Sequence, residues 1–417
     1  MKCGLIGERL AHSYSPEIHK ELAGDVYTYE LYPIPLESLG EFVASRQLDA
    51  MNVTIPYKKA IIPYLDHVSE RALRIGAVNT VFTDAQGNLH GDNTDYYGFM
   101  KTLERLSVDV GGKKALVLGS GGASLTAQAV LSDLGADVVV ISRNGEDNYS
   151  NVYIKHADAE LIINCTPVGM YPNNGVSPIE LERFSSVLGV MDMVYNPSKT
   201  KLIYDAEKLN IPVLNGLYML VAQAAAASEI FLDGARKFTD ADIERIERKI
   251  RRSSENIILV GMPGSGKTTV GEILSQRLSR EFIDTDEMIV QRVGMDIPTI
   301  FEKHGEEKFR LIEEAVCADV GKMSGKIIST GGGAVTRPAN RYSLRQNSVI
   351  VFLERELSLL PTDGRPLSEK SRLAKMLDIR LPMYLDFSDV RVNNDSAPED
   401  TADKILQILD DVYNSEV

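Results

Sequence analysis

The stretch "ENIILVGMPGSGKTTVGEILSQRL" (255–278) restricts the possible folds of this chain more than any other. A short apolar run rich in β-branched residues is followed by glycines, and helical spacing starts immediately after them, which reads as a buried strand, a tight loop and a helix. Gly261, Gly266, Lys267 and Thr268 fit G-x-x-x-x-G-K-[ST]. In such a loop the glycines let backbone N–H groups turn inward around phosphate oxygens, the lysine adds a point charge at the β/γ-phosphates, and the threonine can hold Mg²⁺. The following helix directs its N-terminus at the same phosphates. This region is therefore expected to be a three-layer α/β unit with a parallel sheet.

The loop alone does not specify a phosphoryl acceptor, but the segments after it narrow the choice. "FIDTDEMI" places Asp284 and Asp286 two residues apart after an apolar residue. One carboxylate can serve a metal shell and the other can hold or deprotonate a hydroxyl. "FEKHGEEKFRLIEE" puts Phe309, Arg310 and Glu313 on a helix, and "IISTGGGAV" (327–335) reads as a second buried strand ending in glycines. "TDGRPLS" places Arg365 in a Gly/Pro-containing loop that reads as a lid, and "IRLPMY" offers Arg380. Two arginines besides the lid arginine point to an acceptor with a carboxylate, because the guanidinium fork matches that group.

In this order the set resembles shikimate kinase over about residues 255–417. The resemblance implies that Asp286, Arg310, Gly332 and Arg380 bind shikimate, with Asp286 also the candidate base. It implies ATP binding by Gly264, Ser265, Gly266, Lys267, Thr268, Thr269 and Arg365, with Lys267 and Arg365 stabilising the transferring phosphoryl group. Thr268, with Asp284 behind it, would place Mg²⁺. The lid stretch "ERELSLLPTDGRPLS" is shorter than usual for that family and lacks a further arginine.

A second glycine turn lies upstream. "KKALVLGSGGASLTAQAVLSDLGADVVVISRNG" reads as strand, turn, helix, Gly135 as a stop, and a second strand, which is one βαβ unit. Gly119, Gly121 and Ser124 approximate G-x-G-x-x-G in the strand-to-helix position that dinucleotide binding requires. Where NAD-binding units carry an acidic residue, Ser142 and Arg143 stand here, and an arginine there suits a 2′-phosphate, hence NADP. Ahead of this unit, "AHSYSPEIH" holds Ser13 and Ser15, which in a locally extended stretch would point both hydroxyls one way. "MNVTIPYKK" holds Asn52, Thr54 and Lys58, "GAVNT" holds Asn79, and "GDNTDYYG" holds Asp95. Polar residues in Gly/Pro-marked loops fit a ligand site, and each loop taken singly also fits ordinary turn chemistry.

Together these loops resemble shikimate dehydrogenase over about residues 1–235, and "LIINCTPVGM", "DMVYNPSKT" and "NGLYMLVAQAA" agree. The resemblance implies that Ser13 and Ser15 hold the substrate carboxylate and that Thr54, Asn79, Asp95 and Gln223 hold its hydroxyls. Lys58 and Asp95 would form the catalytic pair, and Tyr195 and Gly216 would lie near substrate or nicotinamide. NADP(H) would meet Gly119, Gly121, Gly122, Ala123, Ser142, Arg143, Thr166 and Gly216. Reducing a ketone by hydride leaves charge on oxygen, so a positioned acid must supply a proton, and a lysine oriented by a carboxylate can do so.

Composition agrees with a soluble, multi-domain chain. At roughly 150 residues per domain, 417 residues suggest about three compact units. The formal charge of −14 argues against nucleic acid as a partner, since phosphate-backbone binding needs a basic face. The apolar stretch Ile211 to Leu232 is broken by Asn215, Gly216, Gln223 and Glu229 and does not read as a membrane span. The N-terminus lacks the apolar core of a signal peptide. Cys3, Cys165 and Cys317 are isolated, so a reduced, cytoplasmic setting is expected. The expected organisation is a dehydrogenase substrate domain (1–98 plus 217–236), a Rossmann-like NADP-binding domain (99–216), a helical linker (237–254) and a P-loop kinase domain (255–417). "ERIERKIRR" within the linker carries Ile243, Ile246 and Ile250 on one side and is read as a solvated helix. The chain is then expected to make shikimate from 3-dehydroshikimate with NADPH and phosphorylate it with ATP. Two alternatives stay open: a dehydrogenase fused to a non-catalytic nucleotide sensor, and an NAD-dependent dehydrogenase of the quinate type.

Overall fold

The computed structural model describes residues 1–10, 13–360 and 367–415. It divides into two compact units: Met1–Tyr195 with Thr200–Ile250, and Asn196–Lys199 with the chain from Arg251 onward.

The first unit contains two sheets. Strands β1 (Lys2–Gly7), β2 (Thr28–Pro33), β3 (Ala50–Val53), β4 (His67–Val68), β5 (Thr80–Thr83) and β6 (Leu89–Asp92) form a mixed sheet in the order β2-β1-β3-β5-β6-β4. Strand β1 runs parallel to β2 and β3, whereas β5 is antiparallel to both β3 and β6. Strands β7 (Lys114–Leu118), β8 (Asp137–Ile141), β9 (Leu161–Asn164), β10 (Gly189–Asp192) and β11 (Val213–Leu214) form an all-parallel sheet in the order β11-β10-β9-β7-β8. Alternate residues of β7 serve opposite faces. Ala115 and Val117 pack with Phe99, Leu103 and Val130, while Leu116 and Leu118 pack with Val152, Leu202 and Ala206. Both faces are thus covered, as a parallel sheet requires. The chain leaves β7 toward β8 on one side and later returns to β9 on the other, so the C-terminal ends of β7 and β9 flank a topological switch point, where such sheets take ligands.

Helix Leu217–Phe231 carries the apolar run that was too interrupted for a membrane span. Its alanine-rich surface permits close packing, and a Cβ on Gly98 would stand 2.7 Å from the Met219 carbonyl. No described helix is long and apolar enough to cross a membrane.

The helix Asp240–Ser254 corrects the reading of a solvated linker. Ile243, Ile246 and Ile250 are fully buried, in one cluster with Ile18, Leu22, Leu217 and Val221 of the first unit. Their spacing makes a narrow apolar stripe, and each such burial contributes roughly 1.5–3 kcal/mol. The charges that suggested solvation flank the stripe and are paired: Arg105 with Glu247 at 2.5 Å, and Arg245 and Lys249 with Glu21. The helix is therefore part of the first unit up to Ile250.

In the second unit β12 (Asn256–Val260), β13 (Phe282–Asp284), β14 (Ile327–Ser329), β15 (Ser348–Glu354) and β16 (Val390–Asn393) form a parallel sheet in the order β13-β14-β12-β15-β16. Ile258 and Val260 face Phe309 and Val316 of the helix Ile297–Val320, and Ile257 and Leu259 face Val270, Leu274, Ile405 and Leu409. The helix Ile297–Val320 is interrupted at Gly305, whose φ of 77° only glycine adopts freely.

Candidate active site

In the first unit, polar side chains converge where the mixed sheet meets the helix Asp95–Leu106. Lys58 sits on a single helical turn, Tyr57–Ala60, and its Nζ lies 2.6 Å from Asp95 Oδ2, the two side chains being 18% and 10% exposed. Asp95 occupies the first turn of its helix, where the backbone dipole favours a carboxylate. Its Oδ1 accepts from Asn79 Nδ2 at 2.9 Å, and the same amide group donates to Thr94 Oγ1 and to Gln223 Oε1 at 3.2 Å. Four of the sequence-predicted residues are thus in direct contact, although Gln223 is 144 positions from Asn79. Asn52 lies behind them. It accepts from the Tyr29 hydroxyl at 2.8 Å and donates to the Asn79 carbonyl.

Ser13 and Ser15 do face each other, with the Ser13 hydroxyl donating to Ser15 Oγ at 3.1 Å. They do so through a turn and not through the extended stretch expected: Tyr14 has helical φ and ψ, and Ser15 begins the helix Ser15–Ala23. Two serines in a turn approach each other because one hydroxyl can also accept from the second backbone N–H, here Ser15 N to Ser13 Oγ. The ring of Tyr14 lies 5.6 Å from that of Tyr195, and burial pushes the Tyr195 hydroxyl up to about 12. Thr54 follows β3 directly, and its methyl packs against Gly7.

The glycine turn stands at the switch point. Gly119 has a φ of 103°, Ser124 Oγ donates to its carbonyl, and Gly121 caps the helix Gly122–Asp133. A Cβ on Gly119 would lie 2.9 Å from the Thr166 methyl, and one on Gly122 would lie 3.6 Å from Lys58 Cδ, so the turn borders both the loop after β9 and the Lys58–Asp95 pair. Ala123 lies in the first turn of the helix. Gly216 precedes the helix Leu217–Phe231, and a side chain there would meet the Met193 carbonyl at 2.2 Å. Ser142 and Arg143 follow β8, with Arg143 exposed. The neighbouring acids are engaged elsewhere: Asp147 meets Lys155 and His156, both at 3.0 Å, and Glu146 lies 3.7 Å from Lys155. Below the loops, Asp192 is fully buried. Burial pushes its carboxyl up to about 6, against hydrogen bonds from Thr200, Val194 and Asn164 that favour the ionised form.

In the second unit the loop after β12 takes positive φ at Gly261, Gly264 and Gly266. Lys267 Nζ donates to the Gly261 and Met262 carbonyls at 3.0 Å, folding across the loop, and burial lowers its ammonium to about 8, against Asp286 and Asp284. Gly264, Thr268 and Thr269 are exposed at the loop mouth, and Ser265 is buried beneath it. Thr268 Oγ1 donates to Asp284 Oδ2 at 3.3 Å. Asp284 Oδ1 also caps the helix Thr285–Val293 by accepting from Asp286 N. Arg365 lies outside the described residues.

The glycines after β14 form the floor of a charged pocket. A Cβ on Gly331 would stand 2.7 Å from Asp286 Oδ1 and 2.8 Å from Glu313 Oε1, and one on Gly333 would overlap the Arg310 guanidinium. Arg310 donates to Glu313 Oε2 at 2.7 Å, and Arg380 Nη1 and the Tyr384 hydroxyl both donate to the Gly332 carbonyl. Asp286 Oδ1 and Glu313 Oε1 are buried with no hydrogen-bond partner among the described residues, and burial raises both carboxyls. Two arginines and two incompletely satisfied carboxylates suit a small polyhydroxylated acid. The sequence reading placed Glu313 on the helix but gave it no role. The available signal was its position three residues after Arg310, on the same helical face.

A Rossmann-like unit with a lysine–carboxylate pair and a P-loop unit with a carboxylate-and-arginine pocket define an enzyme with two separate nucleotide-linked chemistries. Residues 5–81 match the family model "Shikimate dehydrogenase substrate binding domain", and residues 263–410 match "Shikimate kinase". The shikimate dehydrogenase (NADP(+)) of Clostridium beijerinckii is 36% identical over 245 residues, 55% of this chain and 90% of its own length. A crystal structure of a chorismate mutase/shikimate 5-dehydrogenase fusion protein from Clostridium acetobutylicum aligns with a TM-score of 0.56 at 36% identity, covering 60% of this chain and 96% of that one. Shikimate 5-dehydrogenase from Thermus thermophilus, in complex with NADP(H) and shikimate, aligns with a TM-score of 0.54 at 30% identity, covering 60% and 99%. The chain belongs to the shikimate dehydrogenase family and carries a shikimate kinase domain after that region.

Proposed function

We propose that the chain catalyses two consecutive reactions: NADPH-dependent reduction of 3-dehydroshikimate to shikimate, and ATP-dependent phosphorylation of shikimate to shikimate 3-phosphate. The observation that carries this reading is that each unit gathers its own reactive groups: Lys58 meets Asp95 at 2.6 Å in the first, and in the second Asp286 and Glu313 border the Gly331 floor beside Arg310.

In the first reaction the bound cofactor supplies the hydride. Lys58 holds the substrate oxygen and supplies the proton, Asp95 orients the ammonium, and Asn79 fixes the carboxylate through its other oxygen. Ser13 and Ser15 receive the substrate carboxylate, while Thr54, Gln223 and Tyr195 close around the ring. The turn at Gly119, Gly121, Gly122 and Ala123 takes the pyrophosphate at a helix N-terminus, with Thr166 and Gly216 toward the nicotinamide. Arg143, free of the acids at 146 and 147, and Ser142 take the 2′-phosphate.

In the second, Arg310 and Arg380 hold the shikimate carboxylate and Gly332 the ring. Asp286 holds the reacting hydroxyl and accepts its proton as the γ-phosphoryl transfers. Gly264 to Thr269 cradle the ATP phosphates, with Lys267 and Arg365 stabilising the transferring group. The hydroxyl of Thr268 and the carboxylate of Asp284 are hard oxygen donors of the kind that would hold Mg²⁺. Bound Mg²⁺ supplies charge neutralisation at the phosphates. The substrate domain comprises 1–98 with 217–236, the cofactor domain 99–216, and the kinase domain 255–417.

The test is initial rates on the full chain, with NADPH oxidation and ADP release measured separately. Reduction of 3-dehydroshikimate that prefers NADPH to NADH, together with shikimate-dependent ADP release, is expected. Nucleotide binding without shikimate-dependent ADP release would make the second unit a sensor. Faster turnover of quinate with NAD than of shikimate with NADP would change the first assignment.

A further inference from the structure

The buried Asp192 has no place in the chemistry above, yet it ties together the ends of three parallel strands. Asp192 closes β10. Its Oδ1 accepts from Asn164 Nδ2 at 2.9 Å, at the end of β9, and from Val194 N at 3.0 Å, while Oδ2 accepts from Thr200 Oγ1 at 2.6 Å. Each bond leads further. Asn164 Oδ1 in turn accepts from Thr166 N at 3.0 Å and from Thr166 Oγ1 at 2.7 Å, fixing the residue whose methyl packs on the Gly119 turn. The Val194 carbonyl accepts from Gly216 N at 3.2 Å, next to the end of β11. Thr200 caps the helix Lys201–Lys208.

We propose that Asp192 is a positioning residue for the dinucleotide site: its carboxylate locks the turn at Thr166 and the segment from Val194 to Gly216 in the one arrangement that receives the nicotinamide end of the cofactor. This rests on the reading of the first unit as a dehydrogenase. A carboxylate suits the post because it offers acceptors only, and all three neighbours present donors. An amide at the same place can keep its oxygen on Asn164 Nδ2 and Val194 N while its nitrogen donates to the rotated Thr200 hydroxyl, whereas a leucine leaves both N–H donors without that acceptor.

The test begins with NADPH-dependent reduction by the wild-type chain, whose absence would overturn the dehydrogenase reading and this proposal with it. Asp192→Leu is expected to raise the KM for NADPH tenfold or more while kcat at saturating cofactor changes by less than about threefold and kinase turnover stays at its wild-type value. Asp192→Asn keeps an acceptor for Asn164 and Val194 and is expected to hold that KM within about threefold of wild type. Thr200→Val removes both the bond to Asp192 and the helix cap on Ile203 N; it should lower the unfolding midpoint and leave the KM for NADPH unmoved. An Asp192→Leu chain with a wild-type KM for NADPH would overturn the proposal, as would an Asp192→Asn chain whose KM rises as far as that of Asp192→Leu. Should Asp192→Leu fail to fold, Asn164→Ala, which frees Thr166 from the same lock, decides by the same criterion.

Discussion

Lys58 offers the sharpest test of the chemistry in the first unit. Lys58→Met keeps the side-chain length that packs near Gly122 and removes only the ammonium. Asp95 loses the partner at 2.6 Å but keeps Asn79 at 2.9 Å and the start of its helix. The stability loss is therefore expected at about 1–3 kcal/mol, the scale for leaving one partner of a half-satisfied polar contact. Loss of the proton donor is expected to lower reductase turnover by about 10²–10⁴-fold, equivalent to roughly 3–5 kcal/mol of barrier. Asp95→Asn leaves the ammonium without its counter-charge and is expected to fall within a similar range. Because both act through one contact, the double variant should turn over within about tenfold of the slower single variant; independent roles would multiply the two losses. The assay follows loss of NADPH absorbance with 3-dehydroshikimate, and ADP release with shikimate serves as an internal control on folding. Near-normal reduction by Lys58→Met, or a double variant as slow as the product of the two single losses, would refute the pair.

Other outcomes follow from the same geometry. Burial holds the His19 ring at about 3, far below its usual 6.5, so the unfolded chain binds one more proton than the folded chain between those values. The stability this residue contributes is complete above its unfolded value and is lost as pH falls toward about 3, at a little over ~1 kcal/mol per pH unit. His19→Gln should remove that much slope from the urea stability of the first unit between about pH 4 and 6, and equal slopes would show that the ring is not held neutral. Ile246→Asp places an unpaired charge in the cluster with Leu22 and Val221 and should destabilise the first unit by about 3–5 kcal/mol, leaving kinase turnover intact; an unchanged midpoint would mean that the helix is solvated after all. Arg380→Lys keeps the charge but loses the fork and should raise the KM for shikimate in the kinase assay by about 10–100-fold, the equivalent of one charged hydrogen bond. An effect confined to ATP would place Arg380 beside the nucleotide.

The two glycine turns were legible because backbone geometry is written locally: a strand, a turn that needs positive φ at Gly119 or Gly266, and a helix are all adjacent in sequence. Lys58, Asn79, Asp95 and Gln223 could be named individually, but the sequence holds no sign that Asn79 Nδ2 would meet both Asp95 and Gln223. The same limit hid Asp192, whose carboxylate lies within the quoted "DMVYNPSKT" while its decisive partner Asn164 is 28 residues away. Glu313 escaped because a glutamate near a helical arginine also fits a solvated pair; only its complete burial beside Asp286 and the glycine floor marks it as part of the pocket. The helix at 240–254 misled for the opposite reason. Its charges were visible, and the acids and bases that neutralise them, Glu21 and Arg105, sit far away in the chain.

The most direct measurement supplies the full chain with 3-dehydroshikimate, NADPH, ATP and Mg²⁺ and follows NADPH loss, ADP and shikimate 3-phosphate together. The account predicts that the phosphate ester accumulates with one NADPH oxidised and one ADP released for each molecule formed, and that omitting NADPH abolishes both ester and ADP. NADPH oxidation that leaves shikimate unphosphorylated, or ADP release that continues without NADPH, would contradict it.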